Sequence, residues 1–150
     1  MKSSLCFLSP IGYLTIYSEN EKIIKLSFEK GQTTELTPLL REANAQLTAY
    51  FDKKLFKFSL PLEINSTPFC MSVYNELLKI PYGKLVTYKY IADKCGNKKA
   101  ARAVGNANNK NPIPIIIPCH RVIGSDRTLT GYAGGLDIKR FLIDLEHAEL

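Results

Sequence analysis

The sequence predicts an α+β chain in two parts, a small antiparallel-sheet unit over residues 1–64 and a mostly helical, helix-turn-helix-like domain over residues 65–150. Three observations predict this. β-branched and aromatic runs separated by a polar turn fill the first 30 residues. Thr37-Pro38 and Thr67-Pro68 each read as a helix start, with threonine as the cap and proline in the first turn. Two short helical stretches then flank Cys95-Gly96-Asn97, the pattern of a helix-turn-helix.

Within the first part, Gly12–Tyr17 and Ile23–Phe28 read as the strands of a hairpin, with the turn at Ser18–Glu21. From Thr37, a helix is expected with Leu39, Leu40, Ala43, Leu47, Tyr50 and Phe51 on one face. Phe56–Leu62 alternates in polarity and reads as a further strand. Asn65-Ser66-Thr67 is the linker. In the second part, the helix starting at Pro68 runs through Met71, Val73 and Leu77 to Ile80, and Pro81-Tyr82-Gly83 stops it. Thr87 caps a short helix from Tyr88 to Lys94, and Gly96 ends it. Asn97 is expected to cap a third helix from Lys98 to about Asn109. On that helix Ala101, Val104 and Ala107 face inward, and Lys98, Arg102, Asn106 and Asn109 form a basic, amide-bearing outer face.

Composition narrows the function classes. A chain 45% hydrophobic and 23% charged folds around a core and is not a disordered tail. No apolar run is long enough to cross a bilayer. Met1–Cys6 lacks a long apolar segment and gives way to Ser9-Pro10, so a secretory signal is not expected and the cytoplasm is the expected compartment. The four cysteines, Cys6, Cys70, Cys95 and Cys119, form no Cys-x-x-Cys pair and have no histidine at zinc-finger spacing, so no metal is expected.

Charge is uneven along the chain. Of the net +6, residues 64–150 carry +5, concentrated in Lys79, Lys84, Lys89, Lys94, Lys98, Lys99, Arg102, Lys110 and Arg121 against Asp93 alone. A one-sided basic cluster marks either a polyanion partner or a lysine-rich solvated surface.

The segment Ile113–Gly124 is the most chemical part of the sequence. An apolar run, expected as a strand, delivers Cys119 and His120, followed by Arg121. Cysteine chemistry needs the thiolate, and neighbouring positive charge and a base both promote it. Adjacent residues on a strand point to opposite faces, so a bridging water is the expected link between Cys119 and His120. A carboxylate would fix the histidine tautomer, and Asp126, Asp137, Asp144 and Glu146 are the downstream candidates.

Pro118-Cys119-His120-Arg121-Val122-Ile123 resembles the active-site signature of the O6-alkylguanine-DNA alkyltransferases (methylated-DNA–protein-cysteine methyltransferases). Four further strings fall in the same order and spacing. Arg102–Ala107 resembles the family's recognition helix with its arginine finger, and Asn111-Pro112 its asparagine hinge. Gly131–Leu136 resembles its substrate-pocket loop, and Tyr88 lies in a similar Thr-Tyr-x-x-Ile-Ala string. Lys139 and Glu146 sit where the family has a lysine and the relay glutamate. The resemblance is close over residues 66–147 and looser before that. It implies a ribonuclease H-like N-terminal domain and a winged helix-turn-helix-like C-terminal domain.

It also implies a reaction. Cys119 would take the alkyl group from O6-alkylguanine, and from O4-alkylthymine, in one irreversible turnover without a cofactor. His120 would accept the thiol proton through water, with Glu146 holding it. Asn111 would brace the segment, and Tyr88, aided by Lys139, would help the base leave neutral. The base must be flipped out of double-stranded DNA. Arg102 would fill its place from the minor groove, with Ala103, Gly105, Asn106, Lys98 and Lys99 against the DNA. Pro114, Val122, Tyr132 and Ala133 would line the base pocket. Asn108 and Asn109 depart from relatives that carry a bulkier apolar residue and an arginine there, which implies a looser pocket wall and weaker DNA contact. The expected protein is a monomer with no membrane partner. A lesion-binding protein on the same fold would lack the cysteine. A transcription regulator gives no reason for Cys119, His120 and Glu146, and a Cys-His hydrolase would turn over repeatedly.

Overall fold

Alternating burial along the first strands explains the N-terminal sheet. The computed structural model describes residues 2–150. Strands β1 (Lys2–Ser9), β2 (Gly12–Glu19) and β3 (Lys22–Ser27) form an antiparallel sheet in the order β1-β2-β3. Leu5 pairs with Ile16, which pairs with Leu26, so one face presents a row of buried apolar side chains. The sheet has one strand more than the hairpin expected from sequence. The β2–β3 turn is Asn20-Glu21, both with positive φ, the conformation that matches the twist of a tight hairpin.

Helix α1 (Pro38–Phe51) packs on this sheet. Thr37 Oγ1 accepts from the Leu40 amide at 3.2 Å, and Pro38 occupies the first turn, where no donor is lost. Leu40, Ala43, Leu47, Tyr50 and Phe51 are buried, with Leu39 at the margin. The strand expected over Phe56–Leu62 does not form. Only Leu62 makes an isolated bridge, to Ile23, flanked by bonds from the Ile23 amide to Pro61 O and from the Glu63 amide to Ile23 O. Phe58 instead packs on Tyr50, with ring centroids 5.5 Å apart, and Phe56 is exposed, so packing on α1 replaces a ladder.

The chain divides into Met1–Ile64 and Asn65–Leu150. The second unit begins with α2 (Pro68–Leu77), capped by Thr67 Oγ1 on the Cys70 amide. A two-residue strand, β4 (Val86–Thr87), follows, then α3 (Tyr88–Lys94), again capped by Thr87 Oγ1. Helix α4 spans Ala101–Asn109. It starts later than expected: Asn97 Oδ1 does accept an amide bond, from Lys99, but that closes a local turn, and Ala100 is the cap position. Lys98 therefore lies in the turn before the helix and not on its outer face.

The expected strand over Ile113–Pro118 is also absent. Ile117 N donates to Ile113 O and Ile115 has a positive φ, so this apolar run folds back as a tight turn. Cys119–Arg121 forms a single 3₁₀ turn, followed by β5 (Val122–Ile123), which pairs in parallel with β4. Helix α5 (Leu136–Glu146) buries Lys139, Leu142, Ile143 and Glu146, one stripe at helical spacing. Beyond α5, the Leu85 amide donates to Glu149 O and the Glu149 amide to Gly83 O, which ties the chain end beside β4. No helix among the described residues is long and apolar enough to cross a membrane.

Candidate active site

Two features of the second unit bring its candidate site residues together. The β4–β5 pairing sets Thr87 against Ile123, so α3 opens with Tyr88 just beyond the strand that leaves Cys119–Arg121. The α5 stripe delivers Lys139 and Glu146, two helical turns apart, to the same interior.

His120 is fully buried, and its Nε2 lies 2.6 Å from Glu146 Oε2. Arg121 grips the same carboxylate with two bonds, from Nε to Oε1 at 2.9 Å and from Nη2 to Oε2 at 3.1 Å. Its Nη1 donates to Ile80 O at 2.7 Å, and the Gly83 amide donates to Glu146 Oε1 at 3.2 Å. His120 and Arg121 hold the Glu146 carboxyl well below its usual range against the opposing pull of burial. Glu146 is thus an anion, and His120 donates Nε2–H to it. Burial pushes the His120 imidazole below its ordinary value, and Glu146 opposes that without reversing it. Among the described residues, His120 Nδ1 has no hydrogen-bond partner. Being on a 3₁₀ turn rather than a strand, His120 and Arg121 both reach Glu146 instead of pointing to opposite faces.

Cys119 is 2% exposed. Burial pushes its thiol up to about 11, while the Asn111 side chain and the Lys139 charge pull the other way. At neutral pH, about one thiol in ten thousand would ionise unaided. Burial outweighs both, which favours the protonated thiol.

Asn111 pins the turn that carries Cys119. Its Nδ2 donates to Ile117 O at 2.8 Å, and its Oδ1 accepts from the Ile113 amide at 3.0 Å. Asn108 is buried, and its Nδ2 donates to Cys119 O at 3.2 Å. Lys139, with no exposure, donates to Thr130 O at 2.9 Å and to the Tyr88 hydroxyl at 3.4 Å. Burial lowers the Lys139 ammonium to about 8, opposed by Cys119.

The residues expected against DNA separate by exposure. Arg102, Ala103 and Asn106 are exposed on α4, and Lys98 and Lys99 are exposed in the turn before it. Gly105 is half-buried, and a Cβ built there would meet the Tyr88 ring at 3.9 Å. A cleft of about 490 Å³ lies among Arg102, Gly105, Asn106, Asn109, Tyr88 and Thr130. Of the expected pocket residues, Pro114, Val122 and Tyr132 are buried, and Ala133 is exposed.

Models of two domains match the chain: the 6-O-methylguanine DNA methyltransferase ribonuclease-like domain over residues 6–64 and the DNA binding domain of the same family over residues 68–148. The chain belongs to the 6-O-methylguanine DNA methyltransferase family. It is 49% identical to the methylated-DNA–protein-cysteine methyltransferase of Methanosarcina acetivorans over 93% of this chain and 95% of that protein. The crystal structure of the Mycobacterium tuberculosis O6-methylguanine methyltransferase superposes with a TM-score of 0.89 at 42% identity, covering 97% of this chain and 93% of that one. The M. tuberculosis protein solved in complex with DNA gives 0.87 at 42% identity, covering 95% and 92%. The α+β fold, with its small antiparallel sheet and helical second part, is that of the family.

Three residues have clear geometric roles that were not assigned to them from sequence. Arg121 was visible only as positive charge, although an arginine inside an apolar segment needs a buried carboxylate partner. Asn108 continues the inward stripe of Val104 and Ala107 on α4, a signal that helical spacing contains. Thr130 works partly through its backbone carbonyl, for which a side-chain motif carries no signal.

Proposed function

We propose that this chain repairs double-stranded DNA by transferring an alkyl group from O6 of a flipped-out guanine to Cys119, once per molecule. The observation that carries the reading is the buried chain His120–Glu146–Arg121, which follows directly on the buried Cys119. A histidine there donates Nε2–H to an ionised carboxylate and keeps Nδ1 free of protein partners. Nδ1 then takes the thiol proton through a shared water. The sulfur–carbon bond forms as the carbon–O6 bond breaks, and that electron pair stays with the guanine. Tyr88, aided by Lys139, gives the base a proton so that it leaves neutral. His120 is then left protonated and Tyr88 ionised, and proton exchange through solvent restores both, so that in net one proton passes from thiol to guanine. Asn111 braces the Cys119 segment.

Exposure supports the DNA-facing assignment of Arg102, Ala103, Asn106, Lys98 and Lys99, and charge that of Arg102, Lys98 and Lys99; half-buried Gly105 completes the set. On this reading Arg102 enters the minor groove in place of the flipped base, and Pro114, Val122, Tyr132 and Ala133 line the pocket. O4-alkylthymine is a second substrate. Residues 65–150 supply both DNA binding and the acceptor, and residues 1–64 the N-terminal domain. One acceptor per lesion makes a monomer sufficient, and the protein acts in the cytoplasm. The test is intact-mass spectrometry after incubation with a duplex containing O6-methylguanine. One methyl is expected, mapped to Cys119 and absent from Cys119→Ala. Lesion-duplex binding without a mass change would instead make the protein a lesion binder.

A further inference from the structure

Tyr88 is held by one residue that no family motif singled out. The Tyr88 hydroxyl donates to Thr130 O at 3.2 Å, and the Thr130 hydroxyl donates back to the Tyr88 oxygen at 3.1 Å. Lys139 Nζ donates to the same carbonyl at 2.9 Å and to the same phenol at 3.4 Å. The ammonium also lies 5.7 Å from the Tyr88 ring centroid. Every donor in this triangle has an acceptor, so the arrangement is closed in the free protein.

We propose that Thr130 is the positioning residue for proton delivery by Tyr88, acting through both its carbonyl and its hydroxyl. This rests on the alkyl-transfer reading above. A phenol has one proton, and in the free protein Thr130 O takes it. When a base enters, the hydroxyl turns toward it, and Thr130 O keeps the Lys139 bond, so the carbonyl is never left without a donor. As the proton leaves, negative charge grows on the Tyr88 oxygen. The Thr130 hydroxyl and the Lys139 ammonium already point at that oxygen, and need no rearrangement to stabilise it. Burial raises the Tyr88 phenol above its ordinary value, and the bond from the Thr130 hydroxyl is the main opposing influence. Thr130 thereby opposes the effect of burial on a half-buried phenol.

The test separates the hydroxyl from the shape of the residue. Thr130→Val keeps the volume and removes the donor, and Thr130→Ser keeps the donor. Tyr88 labelled at ¹³Cζ is titrated by NMR in the free protein, and single-turnover methyl transfer is measured on an O6-methylguanine duplex. Thr130→Val is expected to move the Tyr88 titration to higher pH and to slow transfer about tenfold, as loss of one hydrogen bond to a developing charge should. Thr130→Ser should stay within about twofold of the unsubstituted protein. In a Tyr88→Phe background, Thr130→Val should have no further effect on the rate. An unmoved titration, or an equal slowing in the Tyr88→Phe background, would overturn the proposal. Should the unsubstituted protein fail to acquire a methyl on Cys119, the alkyl-transfer reading itself is lost, whereas the NMR titration still reports whether Thr130 controls Tyr88.

Discussion

The Nε2 atom of His120 lies 2.6 Å from Oε2 of Glu146, and neither side chain is exposed to solvent. Glu146 also receives two bonds from Arg121 and one from the Gly83 amide. Four donors converge on two oxygens, an arrangement only an ionised carboxylate satisfies. Glu146→Gln leaves one acceptor oxygen, which the guanidinium claims first. The amide nitrogen then faces His120 and turns the imidazole over to the tautomer with Nδ1 protonated. A protonated Nδ1 cannot take the thiol proton. Single-turnover methyl transfer should fall on the order of 10²-fold, with lesion-duplex binding retained. An unchanged rate would remove Glu146 from the relay.

The rate of methyl transfer should have a bell-shaped dependence on pH. Burial lowers the His120 imidazole, so it stays neutral, and able to accept a proton, to below its ordinary 6.5. The acid limb should therefore lie below 6.5. The alkaline limb should fall near 8, where Lys139 loses the charge it presents to Tyr88. Stability should follow the same direction in acid. A depressed histidine penalises the folded state as pH falls through 6.5, because the unfolded chain then binds a proton that the folded one does not. Glu146 adds a second loss: its contribution is complete above its ordinary 4.5 and disappears as pH falls toward its depressed value. Urea titrations should show midpoints that decline as pH falls below about 6.5 and decline further below about 4.5; a flat profile across the first range would contradict the His120 shift, and across the second the Glu146 shift.

The legible parts of this molecule were those set by local chemistry. The caps at Thr37, Thr67 and Thr87 needed only a threonine before a helical pattern, and each makes the expected bond. Ile113–Pro118 misled because a continuous apolar run is compatible with any buried conformation. The run is buried, but Asn111 and the positive φ of Ile115 fold it into a turn. Phe56–Leu62 misled because alternation also describes a chain packing every second side chain on a helix. The site was readable where side chains act: Cys119, His120, Glu146 and Lys139 all lie in the interior of the second unit. Thr130 was not, since its partners come from α3 and α5 and two of its three bonds use the main-chain carbonyl.

Arg121 should matter to stability more than to contact with substrate. Arg121→Met removes a buried cation and leaves the Glu146 charge facing neutral donors such as His120 Nε2–H and the Gly83 amide in place of a guanidinium. Breaking a buried pair from one side costs about 3–5 kcal/mol. The double variant Arg121→Met with Glu146→Gln should recover part of that loss, because neither charge is then buried alone. Chemical denaturation of the three variants measures the coupling. Additive losses would mean the two residues act independently.

Asn111 should act as a staple. Its carboxamide closes on Ile113 N and Ile117 O, spanning the turn whose next residues are Pro118 and Cys119. Asn111→Ala leaves the buried Ile113 amide unpaired, at about 1–3 kcal/mol, and takes one of two donors from Ile117 O, which keeps the Cys119 amide. Asn111→Asp keeps the acceptor for Ile113 N but sets a carboxylate oxygen against Ile117 O, so it should be the worse of the two. Thermal unfolding should rank the unsubstituted protein first, Asn111→Ala second and Asn111→Asp last.

Arg102 should separate binding from chemistry. It is exposed on α4 and borders the cleft that leads to Tyr88, but it makes no bond to Cys119, His120 or Glu146 among the described residues. On the proposed reading it occupies the space of a flipped base, so its contribution exists only when there is a duplex to flip from. Arg102→Ala should slow methyl transfer from duplex DNA on the order of 10²-fold, because the extrahelical base is no longer held out. Transfer from a free O6-alkylguanine base, which needs no flipping, should stay within about twofold of the unsubstituted rate. Folding stability should hardly move, since the side chain is exposed. Equal losses on duplex and free base would mean that Arg102 shapes the pocket itself, and no loss on either would take it out of DNA recognition.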